Sequence, residues 1–69
     1  MIGEKLKQTR IKQGYSQTEV AKETNIYRPT LSKIENNIYE PNIEQLQKLI
    51  EFYNIDANWL IGTGIKNKG

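Results

Sequence analysis

Five residues punctuate this chain and limit what it can become. Gly14, Asn25, Asn37, Asn54 and Gly62 each follow a segment whose apolar residues recur at helical spacing. Gly and Asn tolerate the left-handed backbone conformation that ends a helix. Five such stops predict five helices. The starts agree with the stops. Ser16-Gln17-Thr18-Glu19 fits a capping box, in which the Ser hydroxyl and the Glu carboxylate each satisfy the other's backbone amide. Asn42-Ile43-Glu44-Gln45 repeats it, and Asp56 can cap a short final helix. No sustained apolar/polar alternation argues for strands. The spacing therefore predicts helices over 2–13, 17–24, 28–36, 43–53 and 57–61, in an all-α, compact five-helix bundle.

Pro29 sharpens one boundary. Proline costs about 3 kcal/mol or more inside a helix but is tolerated in the first turn, and it disfavours helical angles at the residue before it. The third helix therefore starts near Arg28, after a turn of only Asn25-Ile26-Tyr27. Two helices joined that tightly cross steeply, at roughly 90–120°. The second of them then protrudes from the body. Ile2, Leu6, Val20, Ala21, Ile26, Leu31, Ile34, Leu46, Leu49, Ile50, Tyr53, Ile55 and Leu60 fall on inward faces and form the predicted core.

Composition excludes much else. With 69 residues, no cysteine and no histidine, disulfides, thiolate nucleophiles and the usual zinc ligands are ruled out. No cofactor or metal is implied. No acidic pair has definable geometry and no phosphate-binding loop is present, so an enzyme is not expected. No apolar run reaches the roughly 20 residues that span a bilayer, and a soluble cytoplasmic protein is the expectation. The net charge of +2 says little. Its distribution says more: residues 1–39 carry seven Lys/Arg against four Glu, and residues 40–69 carry three Lys against four acidic residues. The first half can face an anion; ordinary charge mixing on solvated helices accounts for the same numbers.

Arg10, Gly14, Ser16-Gln17, Glu19-Val20-Ala21, Ile26, Leu31-Ser32-Lys33-Ile34-Glu35-Asn36, Pro41, Leu46, Asn58-Trp59-Leu60 and Gly62 together resemble the Cro/CI-type helix-turn-helix DNA-binding domain of lambdoid phage repressors and the xenobiotic-response-element family. The resemblance runs from about Ile2 to Gly64. It implies a lambda-repressor-like fold with the helix-turn-helix in helices two and three. It also implies a sequence-specific transcriptional regulator, a repressor on a near-palindromic operator in double-stranded DNA, bound as a homodimer and associated with the nucleoid. The chain departs from the family pattern at Asn25 and Asn37, where Gly is usual, and at Tyr27, where a small hydroxyl residue is common. Tyr27 and Pro29 alter the reading surface, so no known operator transfers.

On that resemblance the third helix is the recognition helix. With Leu31 and Ile34 inward, Arg28, Pro29, Ser32 and Lys33 face outward and Thr30 lies on a flank. Arg28, Lys33, Ser32, Pro29 and Tyr27 are the candidate base contacts, Arg28 first, because its fork can hold guanine O6 and N7 together. In the resembling family the Gln at position 17 binds a backbone phosphate, aided by the positive helix end. Thr30, Asn36 and Asn37 are further phosphate candidates, although Asn36 and Asn37 also serve as simple helix stops. The family likewise implies an ion pair between Arg10 and Glu35. Trp59 and Ile61 are candidate dimer contacts; a Trp that merely covers the end of the core is an equal reading. Residues 1–62 form the expected DNA-binding domain, and 63–69 read as a flexible tail or the start of a linker. A protein-interaction module on the same fold, an antitoxin or adaptor, is the alternative function.

Overall fold

The computed structural model describes residues 2–62, and segment 63–69, read above as tail or linker, lies outside them. Five helices follow in order: α1 Ile2–Lys12, α2 Gln17–Thr24, α3 Arg28–Glu35, α4 Ile43–Tyr53 and α5 Ala57–Ile61. No strand occurs among the described residues. Helices one and three end one residue earlier than the spacing predicts; Asn36 already leaves helical angles at φ −94°, ψ 8°.

Every predicted stop has positive φ: Gly14 84°, Asn25 59°, Asn37 60°, Asn54 55° and Gly62 67°. The three asparagines therefore do what glycine would do, at a smaller loss of chain entropy. The starts are equally local. Ser16 Oγ accepts from Glu19 N while Ser16 N donates to Glu19 Oε1. Asn42 and Gln45 make the same reciprocal pair, and Asp56 Oδ1 accepts from Asn58 N.

The core is one cluster: Leu6, Val20, Ala21, Ile26, Leu31, Ile34, Leu49, Tyr53 and Leu60. Ile2, Leu46, Ile50 and Ile55, expected in the core, are only half-buried against it, and Phe52 joins them from a position not anticipated. A domain this small runs out of interior, so the outer apolar residues cover the core and stay partly wet. α3 packs against both α1 and α2, and α1 further contacts α4 and α5. No described helix is long and apolar enough to cross a membrane.

The approach of α1 to α3 depends on Gly3. Its amide donates to Asn37 Oδ1 at 3.1 Å. A Cβ there would collide with the Ile34 carbonyl oxygen and lie 2.9 Å from that of Glu35. Both are backbone atoms near the end of α3 and cannot rotate away. Gly3→Ala should therefore destabilise the fold by about 1–3 kcal/mol, despite alanine's better helix propensity. Urea unfolding should show a lowered midpoint with unchanged slope.

Candidate nucleic-acid interface

The turn between α2 and α3 is made by backbone. Asn25, in the left-handed region, donates its amide to Ala21 O, and Ile26 N reaches the same carbonyl at 3.1 Å. Ile26 is buried and pulls the turn onto the core. Tyr27 is the extended cap residue at φ −56°, ψ 128°, and Pro29 stands in the first turn of α3. Leu31, Ile34 and Glu35 face inward from α3, while Arg28 and Lys33 are exposed and Pro29, Thr30 and Ser32 are half-buried. Tyr27, just before the helix, is 75% exposed.

Glu35 is the anchor of this arrangement. Its side chain is 1% exposed and that of Arg10 12%. Arg10 Nε donates to Oε2 at 2.8 Å and Nη2 to Oε1 at 3.2 Å, a two-pronged bond of the stronger, charge-assisted kind. A third donor completes the carboxylate: Gln17 Nε2 gives to Oε1 at 3.0 Å. Arg10 also donates through Nη1 to Tyr15 O at 2.9 Å. The four groups join α1, α2, α3 and the α1–α2 turn. Gln17 then extends the chain outward, since its Oε1 accepts from Arg28 Nη1 at 3.5 Å. A continuous line of polar contacts thus runs from the buried pair to the first residue of α3.

The remaining candidates separate. Asn36 Nδ2 donates to Ser32 O at 3.0 Å, closing the helix end. Asn37 is occupied through Oδ1 by Gly3. Trp59 and Ile61 are 47% and 53% exposed, but Trp59 is not bare: Lys5 Nζ lies 5.2 Å from the ring centroid and donates to Trp59 O at 2.6 Å. Spacing alone did not reveal the link from Gln17 to Glu35, or the role of Gly3. A glycine within the first helical turn, where alanine is favoured, is the signal that would have found Gly3. Ile38 and Ile43, both largely exposed in and after the α3–α4 loop, were also not singled out.

Tyr53 lies against the ion pair from α4. Its hydroxyl is buried and has no hydrogen-bond partner among the described residues. Burial, reinforced by the negative charge of Glu35, pushes its pKa well above the usual tyrosine range.

A bundle that projects its third helix from a tight turn, with the inner face bolted to two neighbours, is a helix-turn-helix domain. The helix-turn-helix family model matches residues 6–60. The chain is 38% identical over 61 residues to the HTH-type transcriptional regulator ImmR of Bacillus subtilis (strain 168), covering 88% of this chain and 48% of that protein. It also superposes on a solved chain of the SinR protein/SinI protein complex with a TM-score of 0.82 and 34% identity, covering 88% of this chain and 60% of that one. The protein belongs to the helix-turn-helix family, in its Cro/CI or xenobiotic-response-element type. It spans about half the length of the curated relative.

Glu35→Ala should cost about 3 kcal/mol, the lower end for breaking a buried pair, because Arg10 retains some solvent. Calorimetric or urea unfolding measures it. Tyr53→Phe removes an unpaired hydroxyl and should hold or raise neutral-pH stability by up to about 1 kcal/mol. Above about pH 10 the unfolded chain releases the Tyr53 proton while the fold retains it. Wild-type stability then falls as pH rises, and Tyr53→Phe should flatten that alkaline decline.

Proposed function

We propose that this protein is a sequence-specific transcriptional repressor that inserts α3 into the major groove of a near-palindromic operator as a two-fold dimer. One observation carries the reading: α3 is held from inside by Leu31, Ile34 and Glu35, while Arg28 at its first turn and Lys33 on its far side are exposed to solvent. A helix with exposed cations at its start and on its outer side fits the major groove, about 12 Å wide. Arg28 reads guanine through O6 and N7. Lys33 and Ser32, further along α3, take a second base edge or a phosphate. Pro29 and Tyr27 supply apolar contact beside them.

Phosphates position such a domain and bases specify its site. Gln17 is suited to the first task. One of its two amide hydrogens goes to Glu35, which leaves the other for a phosphate oxygen. Thr30, Asn36 and Asn37 are assigned as further phosphate contacts. Dimerisation is assigned to Trp59 and Ile61, the exposed apolar residues of the last helix, with half-sites about one DNA turn apart. Its place of action is then the nucleoid in the cytoplasm. The similarity to ImmR, a transcriptional regulator, supports regulation. A protein-interaction role is the second reading, favoured by the SinR neighbour, which is described in complex with another protein.

Selection of bound duplexes from a random library, followed by quantitative mobility shifts, tests the proposal. Arg28→Ala should relax discrimination at one base pair by about 1–3 kcal/mol, and Gln17→Ala should weaken binding to all sequences alike. Unchanged affinity in both variants would overturn the assigned face. Failure to retain any duplex, with tight capture of a protein partner, would favour the second reading.

A further inference from the structure

Tyr27 is exposed in a way that the fold does not explain. At 75% it is the most exposed of the large apolar residues among those described. Its side chain makes no hydrogen bond and no aromatic contact among the described residues, whereas Tyr15, Phe52 and Tyr53 pack ring on ring. It also stands at a helix cap, where Ser, Thr, Asp or Asn stabilises a helix by about 1 kcal/mol. The chain places such residues before α2, α4 and α5, but before α3 it places an aromatic that makes no capping hydrogen bond. Pro29, two residues on, stiffens the backbone that carries it. Thus an uncovered ring stands at the entrance to α3, one residue before Arg28.

The major groove offers one apolar group, the 5-methyl of thymine. Resting on the regulator reading above, we infer that Tyr27 is a specificity-determining residue whose ring, backed by Pro29, packs on the methyl of a thymine in the base pair next to the guanine read by Arg28. The half-site therefore contains an adjacent guanine–thymine pair of contacts, one polar and one apolar. The ring carries the contact; the hydroxyl stays in solvent.

The test uses the intact protein and a duplex selected from a random library, with each thymine replaced singly by deoxyuridine, which lacks only the methyl. One position should lower wild-type affinity about 4-fold, the loss for one methyl group left in water. Tyr27→Ala should lower affinity for the thymine duplex comparably and respond no further to deoxyuridine at that position. Tyr27→Phe should behave as wild type. Indifference of the wild type to every deoxyuridine overturns the inference and leaves the regulator reading standing. So does a loss in Tyr27→Phe equal to that in Tyr27→Ala, which would transfer the contact to the hydroxyl. If no duplex is selected at all, both readings fall together.

Discussion

The carboxylate of Glu35 is the hub on which the geometry of α3 depends. It sits in the interior at the end of a helix of eight residues, a length that would not persist alone in water. Arg10 from α1 and Gln17 from α2 occupy its oxygens, so α3 is tied to both helices at its C-terminal end. Leu31 and Ile34 hold the same face by apolar packing. Such a network adds little stability over an apolar substitute of equal size. What it contributes is direction. A carboxylate is satisfied only where its three donors converge.

Direction matters because a reading helix is useful only if its outer residues arrive in register. On the proposed function, Arg28 and Lys33 must meet particular base edges, and ordering them at the moment of binding would lower affinity. The structure prepares that order in advance. Gln17 links the buried carboxylate to the Arg28 guanidinium, and Pro29 limits the freedom of the first turn. Beneath, Gly3 lets α1 approach the backbone of α3 closely enough for its amide to bond Asn37. The last helix is held differently. Lys5 reaches across to it, bonding the Trp59 carbonyl and lying over the indole. A cation is favourable at a helix C-terminus.

Much of this architecture was readable from residues alone, and the reasons are local. A capping box is written in four consecutive residues, and a left-handed stop in one, so three caps, one proline and five stops yield five helices without reference to distant contacts. Inward and outward faces followed from helical spacing. The family resemblance then suggested which exposed residues matter. Less legible were features that need two segments at once. Phe52 was not counted among the packed residues. The reach of Gln17 to Glu35 across eighteen positions leaves no periodic trace, and neither does the collision that reserves position 3 for glycine.

The sequence by itself thus determined helix limits, the tight turn before Arg28 and the sorting of apolar from polar faces, because each depends on backbone preferences within a few residues. Only the tertiary structure decided how Arg10, Gln17 and Glu35 share one carboxylate, why Gly3 has no side chain and which aromatic is left without cover. Those outcomes depend on where separate helices come to lie, and close packing in a core this small allows few placements.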